Sequence, residues 1–196
     1  ESKKVYSDTA IAKRSDLIIA IGGDGTLLSA ARNFGSHKIP VLGINLGNLG
    51  FLTDIPPSDL TFALNKIMQG NFVEDKRVFF EAKIKGKKDR YKALNEIVLH
   101  SGSIAQLIEY ELFIDDEFVY RQRADGLIIS TPTGSTAYNL SGNGPIISPE
   151  VKAITLLPMF PHSLNARTLI TSEYKRIKLK VSGKSKTYSL FASDTT

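Results

Sequence analysis

Five consecutive residues, Gly22-Gly23-Asp24-Gly25-Thr26, have the composition of a phosphate-binding loop that also carries a reactive group. Glycines let the backbone approach a ligand closely, and the N–H groups of a following helix favour phosphate. We assign Gly22, Gly23 and Thr26 to a phosphate-donor loop. A carboxylate is repelled by phosphates, so Asp24 either orients a metal–nucleotide complex or accepts a proton from an attacking hydroxyl. The alternative is an ordinary turn with Thr26 capping the helix.

A second polar stretch, from Asn45 to Asp54, directly follows the next apolar run. Because the carboxyl ends of parallel strands meet at one edge of a sheet, we expect this stretch at the same edge as the glycine loop. Phe51 could stack on a nucleotide base there, although core packing is the commoner fate of a phenylalanine.

The pair Asn95-Glu96 lies within an apolar, strand-like run. Alternation places the two side chains on opposite faces, so they can serve one site only near a strand end or a bulge. Asparagine suits the hydrogen-bonding edge of adenine, and glutamate suits a pair of ribose hydroxyls. A solvated strand end is the alternative.

A third stretch runs from Arg123 to Ser141, where an apolar strand leads into a group of hydroxyls and small residues. The sequence Thr133-Gly134-Ser135-Thr136 is typical of an anion-binding turn that opens a helix, with hydroxyl and N–H groups as donors. A helix cap alone needs one hydroxyl, and this stretch has several. We therefore include Thr133 among the candidate binding residues.

The elements that must position these residues differ between the two halves of the chain. Residues 16–21 and 39–44 are predicted strands buried on both faces, and residues 58–68 a helix with Ser58 or Asp59 as N-cap, which indicates a parallel α/β layer. Beyond about residue 75 the pattern favours an all-β region. The predicted strands there are 77–85, 90–99, 107–114, 117–122, 126–131, 154–160 and 175–182.

These patterns predict two domains, an α/β domain over residues 1–75 and a β-rich domain over residues 76–196. Two strands are few for a doubly wound sheet, and residues 191–196 stop within strand-and-turn sequence. We therefore expect the first domain to be incomplete and the second to be truncated at its C-terminus.

The composition excludes several classes of chemistry. The chain of 196 residues is 42% hydrophobic, which is enough for an apolar core. It contains no cysteine, which rules out disulfides, cysteine-ligated zinc and thiol catalysis. No apolar run has the length of a membrane helix. We expect a cytoplasmic protein with no membrane partner.

The net charge of +5 fits ligands that carry phosphate. The sharpest basic cluster comprises Lys83, Lys85, Lys87, Lys88, Arg90 and Lys92. We interpret it as a solvated hairpin tip, with a nucleic-acid surface as the less favoured alternative, because no nucleic-acid-binding motif accompanies it. We expect no nucleic-acid partner.

Taken together and in order, the four motifs resemble the bacterial members of the NAD kinase family. The glycine loop is shared with lipid kinases and phosphofructokinase-like enzymes, whereas the stretch from Thr131 to Tyr138 is far more specific. The resemblance implies a Rossmann-like α/β domain, a β-sandwich-like domain, and assembly as a homodimer or homotetramer. It implies phosphorylation of the adenosine-ribose 2′-hydroxyl of NAD to give NADP, with ATP or polyphosphate as donor and magnesium or a similar divalent ion.

The resemblance also implies roles for individual residues. Asp24 matches the proton acceptor, and Gly25 its neighbour at the substrate. Gln106 aligns with a position that contacts substrate in some members. Further dinucleotide contacts are implied at Asn95, Glu96, Arg123, Asp125, Thr136, Ala137, Tyr138, Asn139, Leu140 and Ser141.

The chain departs from the family pattern at two places. Gly142-Asn143-Gly144 stands where Ala-Gly-Gly is more usual, and Ser193-Asp194-Thr195-Thr196 keeps only the aspartate of a late Asp-Gly-Gln-like segment. Two other functions stay open: a lipid or sugar kinase that shares only the glycine loop, and a nucleotide-binding module without catalysis.

Overall fold

A computed structural model describes residues 5–47, 50–100, 107–182 and 186–193, the last of these stretches by its backbone alone. The chain divides into two compact units, the first ending at Lys76 and the second beginning at Arg77. No helix among the described residues is long and apolar enough to cross a membrane.

The first unit is an α/β arrangement built on two parallel strands. Its elements are α1 (Asp8–Ala12), β1 (Ile18–Ile21), α2 (Asp24–Phe34), β2 (Val41–Ile44) and α3 (Leu60–Met68), with 3₁₀ turns at Gly35–His37 and Pro57–Asp59. In the parallel ladder Ile18 pairs with Val41 and Ile21 with Ile44, so both strands end at the same edge. The predicted order of strand, helix, strand and helix is confirmed.

The prediction that the first strand is buried on both faces is wrong for the described chain. Ala20 is 5% exposed, whereas Ile19 and Ile21 are 38% and 52% exposed. Among the described strands β1 has one neighbour, β2, while Ile44 of β2 is also bridged to Ile55 and is 1% exposed. One face of β1 is therefore covered far better than the other.

The second unit consists of two antiparallel sheets. Its elements are β3 (Phe79–Ile84), β4 (Arg90–Ala93), β5 (Glu96–His100), β6 (Ile108–Ile114), β7 (Glu117–Ala124), β8 (Gly126–Ser130), a 3₁₀ turn (Thr133–Thr136), α4 (Tyr138–Ser141), β9 (Ala153–Met159), β10 (Leu169–Ser172), β11 (Ile177–Val181) and β12 (Lys186–Ser193). The sheet orders are β10-β9-β8-β5 and β4-β3-β12-β11-β6-β7. The predicted basic cluster lies on the β3–β4 hairpin.

One apolar core joins the two sheets, which confirms the β-sandwich-like prediction. It includes Tyr110 and Leu112 from the six-stranded sheet and Leu127 and Leu156 from the four-stranded sheet, all fully buried. Along β11 the predicted alternation holds, because Ile177, Leu179 and Val181 are buried while Lys178 and Lys180 lie between them. Burial of such apolar area is the main force that holds the sheets together.

The predicted strand 90–99 is two strands, and each belongs to a different sheet. β4 pairs with β3 in the six-stranded sheet, and β5 pairs with β8 in the four-stranded sheet. The chain changes sheets at Leu94-Asn95, between the two strands. A continuous β-type pattern cannot show this change, because both segments alternate with the same period of two. Strand β10 was not among the predicted strands.

Replacing Leu156 with alanine tests the shared core. We expect the free energy of unfolding to fall by about 2–5 kcal/mol, since the change removes a fully buried side chain and leaves a cavity. Urea unfolding followed by circular dichroism measures the change. Leu164→Ala is the control, because Leu164 is 94% exposed; equal effects of the two changes would contradict the assignment of the core.

Candidate functional site

In the glycine-rich sequence, β1 ends at Ile21 and α2 begins only three residues later. Gly22 donates its N–H to the Ile44 carbonyl (2.8 Å) and has a φ of +156°, and a side chain there would overlap that of Thr26. Gly23 is the N-cap, and Asp24 is the first residue of α2. Thr26 is thus inside the first turn, so the alternative that it caps the helix is wrong.

The Asp24 carboxylate is held by the stretch that follows β2. Its Oδ2 accepts the N–H of Phe51 (2.9 Å), and its Oδ1 accepts the N–H groups of Leu52 (3.1 Å) and Thr53 (3.0 Å). The Thr53 hydroxyl donates a further bond to Oδ1 (3.1 Å). Two motifs that are distant in sequence therefore meet at one carboxylate.

These bonds stabilise the charged form of Asp24. Burial, the largest single contribution, raises the pKa of this carboxyl, but the hydrogen bonds from the Phe51 and Leu52 backbone and from Thr53 together hold it below the usual value. The helix dipole also favours an anion at the first turn of α2. Asp24 is therefore a fixed, ionised group at neutral pH.

Two further residues shape the receptor for the carboxylate. A side chain at Gly50 would overlap the Asp24 carboxylate, so glycine is required there for close approach. Asn45 is buried; its Nδ2 donates to the Thr53 carbonyl (3.0 Å) and its Oδ1 accepts the N–H of Gly47 (2.8 Å). Sequence reasoning singled out the stretch but missed Thr53 and Gly50, since their partner is remote in sequence.

The Phe51 side chain is 73% exposed, so the alternative that it belongs to the core is wrong. A cleft lined by Asn45, Gly47, Asp54 and Pro56 opens beside the same loop. An exposed aromatic ring has a free face for a planar ligand, so stacking of Phe51 on a base stays a prediction.

In the second unit Asn95 lies where the chain changes sheets, immediately before β5 begins at Glu96. This is the strand-end position at which neighbours in sequence can serve one site. Asn95 Oδ1 and Glu96 Oε2 are both buried and have no partner among the described residues. Burial is the main effect on Glu96 and raises the pKa of its carboxyl, against a hydrogen bond from the Tyr138 backbone that lowers it. Buried acceptors without a partner are consistent with a ligand that brings donors.

The hydroxyl-rich turn is bonded largely to itself. The Thr131 hydroxyl donates to the Leu94 carbonyl (2.6 Å) and accepts the N–H of Gly134 (3.0 Å). The Ser135 hydroxyl donates to the Pro132 carbonyl (2.6 Å) and accepts the N–H of Ile147 (3.0 Å). Several hydroxyls in this turn therefore fold the segment, which explains why it has more of them than a helix cap needs.

Thr133 has a partner that sequence reasoning missed. Its hydroxyl accepts a hydrogen bond from Arg77 Nη1 (3.2 Å), a residue that precedes β3. Thr136 is less buried, and its hydroxyl donates weakly to the Thr133 carbonyl (3.4 Å). The guanidinium therefore lies against the turn that was predicted to bind an anion.

The segment after the turn divides into buried and exposed positions. Asn139 is fully buried and its amide donates to the Pro145 carbonyl (3.1 Å), so its side chain holds the following loop. Tyr138 and Leu140 are 44% and 41% exposed. Ala137 is half-buried and Ser141 exposed, which leaves them accessible as predicted contacts.

Two predicted site residues, Arg123 and Asp125, lie away from Asn95 and Glu96. Arg123 and Asp125 precede β8, whose first residue pairs with His100 and whose last pairs with Glu96. The length of β8, about 13 Å for its five residues, separates them from Glu96. The structure does not bring them to the Asn95–Glu96 end of the sheet. Gln106 lies outside the described residues.

Within the described ranges, no group of three or more histidine, aspartate or glutamate side chains could hold a metal ion. The Oδ1 atom of Asp24 already accepts three hydrogen bonds.

Comparison with known proteins gives matches along both units. Residues 94–196 match the model of the ATP-NAD kinase C-terminal domain, and residues 3–72 match that of the ATP-NAD kinase N-terminal domain. NAD kinases of Salmonella dublin and Salmonella enteritidis are 49% identical over 176 residues, which is 88% of this chain. The chain spans 60% of the length of these relatives.

Two solved structures are similar in sequence and fold. Yeast NADH kinase complexed with NADH has a TM-score of 0.89 and 31% identity, covering 96% of this chain and 60% of that one. An NAD kinase from Archaeoglobus fulgidus in complex with ATP has a TM-score of 0.76 and 29% identity, covering 91% and 74%.

The hydrogen bonds to Asp24 predict a low pKa for its carboxyl. A depressed pKa stabilises the folded chain above the unfolded value of about 3.9, and this stabilisation is lost as pH falls through the folded pKa. Carbon-detected NMR of the Asp24 carboxyl should give a lower midpoint in the folded chain than in the same chain unfolded in urea. A midpoint at or above the unfolded value would show that the described bonds do not outweigh burial.

Replacing Gly134 with alanine tests the sheet-change region. The new methyl group would overlap the Asn95 carbonyl and approach Ser130 Oγ to 2.7 Å, and a backbone group cannot rotate away. We expect a loss of stability of about 1–3 kcal/mol in thermal unfolding. Gly47→Ala is the control, because no atom lies within 4 Å of the added methyl; a Gly134 variant as stable as this control would refute the close approach.

Proposed function

Because the chain belongs to the NAD kinase family, we propose that it phosphorylates the 2′-hydroxyl of the adenosine ribose of NAD to give NADP, with ATP or polyphosphate as donor. The observation that carries this proposal is the Asp24 carboxylate, fixed and ionised at the start of α2. The relatives named above are NAD and NADH kinases. A module that only bound phosphates would gain nothing from an anion at this position.

The hydrogen bonds to Asp24 divide its two oxygens into different roles. Oδ1 accepts three bonds, from Leu52 and Thr53, whereas Oδ2 accepts one, from Phe51. A carboxylate oxygen has about two lone-pair sites, so Oδ2 is the oxygen with room for another donor. We propose that the substrate hydroxyl donates to Oδ2. Its proton passes there as the hydroxyl oxygen bonds to the transferred phosphorus and the bond from that phosphorus to the rest of the donor, ADP in the case of ATP, breaks.

The low pKa of Asp24 bears on the timing of this transfer. A weak base gains a proton from a ribose hydroxyl only when bonding to phosphorus has made that hydroxyl acidic. Phosphoryl transfer depends mainly on positioning and on charge neutralisation, so a fixed hydrogen-bond acceptor is useful before any proton moves. Asp24 would therefore first orient the hydroxyl and accept its proton late.

We propose that the second unit binds the dinucleotide through the acceptors at its sheet change. Asn95 Oδ1 would accept from the adenine amino group and Glu96 Oε2 from a ribose hydroxyl. Their support is that both atoms are buried without a partner among the described residues. The Tyr138 backbone hydrogen-bonds the Glu96 carboxylate, and the Tyr138 side chain is 44% exposed, so its ring would be accessible to a bound dinucleotide.

The remaining roles rest on the family alone. We propose that Arg123, Asp125, Gln106 and the accessible residues after the turn add contacts to the dinucleotide, that the chain acts as a homodimer or homotetramer, and that it is cytoplasmic. A divalent ion such as magnesium would arrive on the phosphate oxygens of the donor, which are ligands it prefers, and would neutralise their charge.

An assay of NADP formation with ATP and magnesium tests the proposal. Asp24→Asn keeps the shape of the side chain but cannot take a proton, so we expect the rate to fall by about 10²–10⁴-fold with little change in NAD affinity. Asp59→Asn, on an exposed residue before α3, is the matched control.

A near-normal rate for Asp24→Asn would remove Asp24 from the chemistry. Transfer of phosphate from ATP to diacylglycerol or fructose 6-phosphate, but not to NAD, would replace the proposed substrate. Tight NAD binding without turnover under any donor would favour a binding module instead.

A further inference from the structure

Thr53 is a buried polar residue of the first unit whose N–H and hydroxyl both donate to Asp24 Oδ1. We propose that Thr53 is a positioning residue for Asp24, and that its hydroxyl fixes Oδ1 so that Oδ2 is left facing the substrate hydroxyl. This inference rests on the proposed function. It assigns a role to a residue that lies outside the glycine loop.

The backbone and side chain of Thr53 both act on the same oxygen. Its N–H and hydroxyl donate to Asp24 Oδ1 at 3.0 and 3.1 Å, and its own carbonyl accepts from Asn45 Nδ2 at 3.0 Å. With 1% exposure, Thr53 cannot exchange these bonds for water. It is therefore fixed in the loop and fixes the carboxylate in turn.

The methyl group of Thr53 determines where its hydroxyl points. A side-chain atom added at Gly43 of β2 would come within 2.7 Å of Thr53 Cγ2 and within 3.3 Å of a Leu27 methyl in α2. The space that glycine leaves at position 43 is thus occupied by the threonine methyl. Because a β-branched side chain has few χ1 choices, seating the methyl between β2 and α2 directs the hydroxyl toward Asp24.

Every described donor to Asp24 is neutral. The donors are the backbone N–H groups of Phe51, Leu52 and Thr53 and the hydroxyl of Thr53. Three of them are backbone groups that a side-chain substitution leaves in place. The Thr53 hydroxyl is thus the one described donor whose removal changes the orientation and charge stabilisation of Asp24 without changing the reacting group itself.

The test compares four variants of the full chain in the NADP-forming assay. Thr53→Val keeps the branched shape and removes the hydroxyl. Thr53→Ser and Thr53→Ala both lack the methyl and differ only in the hydroxyl, so this pair isolates its contribution if the valine variant does not fold. Thr61→Val is the matched control on an exposed position of α3.

We expect Thr53→Val and Thr53→Ala to lower kcat by about 10–100-fold, as for a lost hydrogen bond to a charged group, with KM for NAD changed less than about threefold. The acidic limb of the kcat profile should move to higher pH, because losing a donor destabilises the carboxylate. Thr53→Ser should recover most of the lost rate, and Thr61→Val should match the parent chain.

A loss of thermal stability in Thr53→Ala with unchanged kcat and an unmoved acidic limb would overturn the inference, since a merely structural threonine predicts that result. Equal kcat for the serine and alanine variants would also overturn it. NMR titration of the Asp24 carboxyl separates this inference from the proposed function. If the parent chain makes no NADP, a higher Asp24 midpoint in Thr53→Ala than in Thr53→Ser still supports the positioning role, and equal midpoints refute it.

Discussion

The bonds between the Asp24 carboxylate and the backbone of Phe51 to Thr53 are the constraint on which the first unit depends. They tie the first turn of α2 to the loop that leaves β2, and they do so with neutral donors only. Other features of the unit follow from them. Gly50 has no side chain because the carboxylate occupies that space, and Asn45 holds the loop in the shape that presents its N–H groups.

In the second unit, a change of sheet positions the polar side chains of the candidate site. Breaking the strand at Leu94-Asn95 brings two polar side chains to the end of β5 while the neighbouring apolar residues stay in the sandwich core. The turn from Thr131 to Ser135 closes on this break through Thr131, whose hydroxyl donates to the Leu94 and Asn95 carbonyls and whose N–H also donates to the Asn95 carbonyl. Asn95 and Glu96 keep buried acceptors that have no partner among the described residues.

Local patterns predicted much of this architecture. Periodicity and neighbours in sequence predict the strand-to-helix order, the antiparallel β region and the three polar stretches. The structure contains all of them. What could not be predicted depends on contacts between distant residues. No periodic pattern in the sequence indicates three of these features. They are the bond between Asp24 and Thr53, the division of residues 90–99 between two sheets, and the bond from Arg77 to Thr133. The exposed face of β1 differs from prediction for the same reason, because burial depends on what covers a strand.

Hydrogen exchange of the loop tests the central constraint most directly. In Asp24→Ala, which removes the acceptor, the N–H groups of Phe51, Leu52 and Thr53 should exchange on the order of tenfold faster than in the parent chain. The N–H of Gly22, which donates to the Ile44 carbonyl, should keep its protection. Unchanged exchange at all three loop positions would contradict the account, since it would show that the carboxylate does not hold the loop.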